Sequence, residues 1–187
     1  VIPLVLASIP RSGSTYLLRS ICGLQEGPYT PPHVASTFGI TKVHRPWPDV
    51  ELPENARALF LFGDVVDCVV STRLNRFEAN HFANCGADWP PAEDLYDADV
   101  LHYEALWDSW TSDPPIPTLA LRYEQLGCAE CRSAISSFIG RPIWWLPWRA
   151  RMHYKLQPNE RSRIRKTYAS LIAKVSAAGE RWEVEAA

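Results

Sequence analysis

Long apolar runs are missing from this chain. Its hydrophobic stretches fall far short of the ~20 residues a membrane-spanning helix needs, and no charged, apolar, small-residue leader precedes the first predicted strand. The sequence opens directly on that strand, which leaves room for a leader or an extra domain upstream. Cysteine is sparse as well. Cys22, Cys68, Cys85, Cys128 and Cys131 are too few and too scattered for a disulfide framework, so a reducing, cytoplasmic setting is expected. Cys128 and Cys131 have the two-residue gap of redox and zinc motifs. A second Cys/His pair at ligand spacing is lacking, however, which argues against metal or redox chemistry. An excess of one charge is also absent: 19 Lys and Arg against 21 Asp and Glu give a net charge of −2, which offers no general surface for nucleic acid. The late region is locally basic, through Arg149, Arg151, Lys155, Arg161, Arg163, Arg165 and Lys166. Most of these read as a solvated helix face, with an anionic ligand as the alternative. No repeat or low-complexity tract occurs, and 187 residues at 47% hydrophobic and 21% charged content fit a single domain, 1–187, with one sizeable core.

What is present is a loop suited to an anion. Leu4-Val5-Leu6-Ala7-Ser8-Ile9 is a short apolar run of the kind buried in a parallel sheet, and Tyr16, Leu17, Leu18, Ile21 and Cys22 recur at helical spacing beyond it. Between them, Pro10-Arg11-Ser12-Gly13-Ser14-Thr15 joins strand to helix. The first N–H groups of a helix lack internal partners and lie at the positive end of its dipole, so an anion lodges there with little rearrangement. Gly13 permits close approach, Ser12, Ser14 and Thr15 add hydroxyls, and Arg11 adds a planar cation. The loop is not a Walker A motif. Ser8 and Ser14 stand where that motif has its first glycine and its lysine, which argues against ATP or GTP hydrolysis.

The remaining pattern predicts a strand, helix, irregular segment, strand, helix, long irregular stretch, helix, strand, helix, irregular segment and helix. Such alternation predicts an α/β sheet with helices on both faces. Leu101, Ala105, Leu106 and Trp110 share one face of a predicted helix over 94–112, and Ile164, Tyr168, Leu171, Ile172 and Val175 do so over 158–178. Proline-rich breaks fall at 28–32, 46–53, 90–91 and 114–117. The aromatic segment Ile143-Trp144-Trp145-Leu146-Pro147-Trp148 reads either as an anchor for the C-terminal part or as a wall of an apolar pocket.

Pro10-Arg11-Ser12-Gly13-Ser14-Thr15-Tyr16-Leu17 resembles the 5′-phosphosulfate loop of sulfotransferases that use 3′-phosphoadenosine 5′-phosphosulfate (PAPS). Three further segments follow in that family's order. Lys42-Val43-His44-Arg45-Pro46 is similar to its Lys-Thr-His-x-Pro segment, Asp67-Cys68-Val69-Val70-Ser71 to its Asp-x-x-x-Ser helix start, and Arg122-Tyr123-Glu124-Gln125-Leu126 to its Arg-Tyr-Glu-Asp-Leu strand end. Together with Phe138-Ile139-Gly140-Arg141-Pro142, the resemblance covers most of residues 4–142. It implies a P-loop-type three-layer α/β/α fold with a central, mostly parallel sheet. It also implies sulfuryl transfer from PAPS to a hydroxyl or amine of a small-molecule, glycan or lipid acceptor, with 3′-phosphoadenosine 5′-phosphate (PAP) as product and no obligatory metal.

On this resemblance Arg11 stabilises the leaving 5′-phosphate, Ser12, Gly13, Ser14 and Thr15 hold it, and Tyr16 and Tyr123 flank the adenine. Lys42 contacts the transferring group and His44 is the base, with Glu26 as a rival carboxylate base. Ser71 holds the 3′-phosphate, and Asp67 reads as a helix cap or a partner for a cation. The chain departs from the family at one place. The arginine that ends the strand before Asp-x-x-x-Ser, and binds the 3′-phosphate, is here Gly63. Arg73 or the late basic cluster is left to supply that cation, and a nucleotide-binding module without the transfer reaction is the alternative function. Residues 24–39, 74–100 and 143–158 remain as the default acceptor pocket.

Overall fold

The computed structural model describes residues 2–24, 38–74, 78–151 and 153–185. Five strands form one sheet in the order β2-β1-β3-β4-β5. They are β1 (Leu4–Ser8), β2 (Ile40–Val43), β3 (Arg57–Phe62), β4 (Thr118–Arg122) and β5 (Arg181–Val184). The first four are parallel and β5 is antiparallel to β4.

Strand side chains alternate between two faces, and each face has its own apolar core. Leu4, Leu6, Leu59, Leu61, Leu119 and Leu121 pack against helices α1 (Ser14–Cys22) and α5 (Ala129–Ile139). On the other face, Val5, Ala7, Ala58, Phe60, Phe62 and Ala120 meet α2 (Val65–Leu74), α3 (Glu78–Cys85), α4 (Tyr103–Thr111), α6 (Pro158–Thr167) and α7 (Ala169–Ala177). This is the expected α/β architecture, with helices on both sides of a mostly parallel sheet. It places four strand ends, those of β1 to β4, along one edge. Chain order reverses at β1, whose neighbours are β2 and β3. A crevice therefore opens beyond the carboxyl ends of β1 and β3, where ligands of open α/β sheets bind.

Several elements differ from the sequence expectation. The helix predicted over 94–112 begins only at Tyr103. Asp99 carboxylate oxygens accept the Tyr103 and Glu104 N–H groups at 2.9 and 3.0 Å, and Asp94 accepts that of Tyr96 at 2.8 Å, so side chains take the N–H groups a longer helix would need. The helix predicted over 158–178 breaks at Tyr168 (φ −101°), whose hydroxyl donates to the Leu95 and Ala98 carbonyls. Lys42 lies on a strand, β2, where an irregular segment was expected, and α3 occupies part of the long irregular stretch. β5 is short and half-exposed, too polar to read as a strand alone. Trp182 secures it by packing 5.6 Å from Phe62 and 5.9 Å from Trp107. Cys128 caps α5 by accepting the Cys131 N–H at 3.2 Å, a structural use for the two-residue gap.

Candidate functional site

The loop after β1 enters the crevice in an unusual backbone conformation. Arg11 (φ 65°) and Gly13 (φ 87°) are both left-handed, which turns the chain sharply into α1. A Cβ at Gly13 would lie 2.2 Å from two ring carbons of Tyr123, the first residue after β4. Glycine is thus required twice, for φ and for the ring above it. The Ser12 hydroxyl is fully buried and donates to the Ile9 and Leu61 carbonyls at 2.6 and 2.9 Å. It ties the loop to β3 and is not turned toward a ligand. Ser14 is also buried, at the start of α1.

Register supplies the next two residues. Pairing of Leu6 with Lys42 and Ala7 with Val43 sets His44 beside Ser8. Lys42 Nζ donates to Thr15 Oγ1 at 3.0 Å, which brings the strand lysine to the first turn of α1. His44 Nδ1 lies 2.8 Å from the Ser8 carbonyl and 3.0 Å from the Ser8 hydroxyl, which can accept as well as donate. A carbonyl only accepts, so the proton of the neutral ring is on Nδ1 and Nε2 is left as a proton acceptor. Burial, reinforced by Lys42, lowers the His44 pKa to about 3. Burial, reinforced by Arg11, lowers Lys42 to about 8.

One member of this group has no counterpart in the motifs. His81, on α3, has both ring nitrogens buried without a hydrogen-bond partner among the described residues. Burial and the charges of Arg11 and Lys42 lower it to about 4, and it in turn depresses His44. Nothing at sequence level marks His81, because α3 itself was not legible. Among the described residues no carboxylate pairs with Arg11 or Lys42. Among the described residues, two cations and two neutral imidazoles therefore share one crevice without an opposing charge, an electrostatic preference for an anion.

This arrangement sets a pH dependence. Both histidines stay neutral in the folded protein down to about 3 and 4, whereas in the unfolded chain they charge below about 6.5. Between those values the unfolded state binds more protons, so stability falls as pH falls, by about 1.4 kcal/mol per pH unit for each proton. Denaturant unfolding from pH 7 to 4.5 is expected to show that slope. His44→Asn combined with His81→Gln should flatten it, and an unchanged slope in the double variant would refute this environment.

Ser71, on the buried face of α2, accepts from Arg11 Nε at 2.9 Å and from the Tyr154 hydroxyl at 3.1 Å. Arg73 does not reach the crevice: it is half-exposed and pairs with Asp94 at 3.3 Å. Asp64, rather than Asp67, caps α2, accepting the Asp67 N–H at 2.8 Å. Asp67 instead faces His153 Nδ1 at 2.7 Å. Tyr16 donates to the Leu146 carbonyl at 2.9 Å, and Tyr123 donates to the Arg149 carbonyl at 2.7 Å. Glu26 lies outside the described residues.

These contacts define a strap. The described residues of 141–151 and 153–157 have no helix or strand. They cross the carboxyl edge of the sheet from the α1 face to the α2 face, pinned at Tyr16, Tyr123, Glu124, Asp67 and Ser71. Trp148 packs over Gly127 and lies 6.3 Å from the Tyr123 ring, so the aromatic segment serves as an anchor here, while Trp144 is 76% exposed.

Fold and site define the class: an α/β protein whose β1–α1 loop and second strand bring two cations together at the strand-order switch, with the strap crossing the same sheet edge. No protein-family model matches the chain, and no curated protein matches it. No helix among the described residues is long and apolar enough to cross a membrane, and no three His, Cys, Asp or Glu side chains among them converge on a metal position.

Proposed function

We propose that this protein is a PAPS-dependent sulfotransferase acting on a hydroxyl or amine acceptor. The observation that carries the reading is the convergence of Arg11, Lys42, the start of α1 and the His44 acceptor nitrogen at one sheet edge, with no carboxylate partner among the described residues. Two further features fit a nucleotide with anionic groups at both ends. Arg151 Nη2 is a buried donor with no partner among the described residues, and its guanidinium lies in the space that a Cβ on Gly63 would need.

In this reading Arg11 and Lys42 hold the oxygens on which charge grows as the transferred group departs, and the loop N–H groups at α1 orient them. His44 takes the acceptor's proton on Nε2, while its Nδ1–H stays on the Ser8 carbonyl, which fixes the ring's orientation. Tyr123 closes the loop side over Gly13. Bound PAPS would supply the sulfuryl group and leave as PAP. Burial holds His44 below its ordinary pKa and the Lys42 charge adds to this, so pairing Lys42 with the anion strengthens the base when the donor binds.

The test is transfer of label from sulfur-labelled PAPS to a panel comprising a phenol, an alkyl alcohol, an amine and a sugar. Arg11→Ala and His44→Ala are each expected to lower transfer by about 100-fold or more. Unchanged transfer in both variants would overturn the reading. A protein that binds the nucleotide but transfers nothing would be the binding module that Gly63 raises as the second possibility.

A further inference from the structure

Gly63 follows β3 at the position where the sulfotransferase resemblance places an arginine, and the space beside it is not empty. A Cβ on Gly63 would lie 2.3 Å from Nη2 of Arg151 and 3.0 Å from its Cζ. Arg151 comes from the strap, far along the chain, and its side chain is only 8% exposed. The guanidinium sits 4.9 Å from the centre of the Tyr123 ring. Its Nε donates to Glu124 Oε1 at 2.9 Å, and Nη1 approaches the Arg11 carbonyl at 3.3 Å and Cys68 Sγ at 3.4 Å. Nη2 has no partner among the described residues.

We propose that Arg151 supplies the cation missing at Gly63 and holds the second anionic group of the donor, its 3′-phosphate. The inference rests on the sulfotransferase reading. Its physical ground is the orphan nitrogen: a buried, charged N–H₂ group without an acceptor is costly, and a phosphate oxygen is the acceptor best matched to it. Glu124 does not satisfy it, since the pair makes a single nitrogen–oxygen bond and Glu124 Oε2 is also without a partner among the described residues. Cys68 and Ser71 are three residues apart on α2, hence on one helix face. Arg151 at Cys68 and Arg11 at Ser71 therefore flank the same stretch of α2.

Glycine at 63 is then one half of an exchange. Any side chain there would expel the guanidinium, so Gly63 and Arg151 together do what one strand-end arginine does in the family that the chain resembles. The strap is made part of the donor site, and its other pins, Tyr154 on Ser71 and His153 beside Asp67, position Arg151.

Calorimetric titration with PAP and with adenosine 5′-phosphate tests this without requiring an acceptor. The wild-type protein is expected to bind PAP about tenfold or more tighter than the monophosphate. Arg151→Ala, and Arg151→Gln, which keeps more of the stem over Tyr123, should erase that preference while changing monophosphate binding little. Gly63→Arg combined with Arg151→Ala should restore it. A preference retained in both Arg151 variants would overturn the proposal and leave the sulfotransferase reading standing, as would equal losses for the two nucleotides, which mean a strap pin only. A wild-type protein without any preference for PAP would overturn the donor assignment itself.

Discussion

Replacing Lys42 with methionine is expected to make the protein more stable and, on the proposed function, to abolish sulfuryl transfer. The ammonium is largely buried on β2, has Thr15 Oγ1 as its hydrogen-bond acceptor, and faces the charge of Arg11. Burial and that repulsion bring its pKa to about 8, so holding the proton at neutral pH costs the folded state free energy. Methionine keeps the apolar stem and removes the charge, which should raise stability by about 1–2 kcal/mol at pH 7. On the proposed function the same change removes one of the two cations that would bind the transferring group, so transfer would fall by about 100-fold or more. Linkage sharpens the test. In the wild type the unfolded lysine keeps its proton up to about 10.5 and the folded one only to about 8, so between those values stability rises with pH through this group. Lys42→Met should lose that rise. Urea unfolding at pH 7 and at pH 9.5, alongside labelled transfer, reads all three effects, and a destabilised variant at pH 7 would show that the lysine is a structural donor to α1.

The second large effect is expected from a single methyl group. Gly13→Ala introduces a Cβ at 2.2 Å from Tyr123 Cδ2 and Cε2, at a φ of 87° that L-residues rarely adopt. The conformational part alone costs about 1–2 kcal/mol, and displacing a ring whose hydroxyl is held by the Arg149 carbonyl adds a cost of about 1–3 kcal/mol. Unfolding midpoints should therefore fall by several degrees or more. Anion binding should fall with them, because Tyr123 is also a pin for the strap and a platform for Arg151. A double variant separates the terms. Gly13→Ala with Tyr123→Ala removes the overlap and leaves the backbone strain, so its loss should be smaller than the sum of the two single losses. Strict additivity would show that the ring moves aside freely.

The two predictions run in opposite directions. Gly13 suits its place, because only glycine accepts a left-handed backbone beneath the Tyr123 ring, whereas Lys42 burdens the fold with a buried cation. The uncompensated charge around Arg11, Lys42, His44 and His81 has the same character.

How much of this was legible beforehand follows from the range of the interactions involved. Apolar runs at Leu4–Ser8, Arg57–Phe62 and Thr118–Arg122, with helical periodicity between them, are local patterns, and they were enough to establish an α/β sheet with helices on both faces. The Pro10–Thr15 loop was legible for the same reason: left-handed glycine, hydroxyls and a helix start are consecutive in the chain. Polar competition hid other elements. The Asp94 and Asp99 side chains stop a helix that periodicity alone would extend, and β5 exists only because β4 offers an edge and Trp182 an apolar hold.

The site divides along the same line. Sequence by itself determined the identity and order of Arg11, Lys42, His44, Ser71 and Tyr123. Tertiary structure decided what each can do: that Ser12 is consumed inside the loop, that Arg73 turns to Asp94, that His44 carries its proton on Nδ1, and that His81 joins the crevice from α3. It also decided that Arg151 lies in the space Gly63 leaves open. No local pattern encodes that contact, because one glycine and one arginine at distant positions have no period or spacing to connect them. Only the closing of the strap over the sheet edge does so, by burying a charged group where the backbone has made room for it.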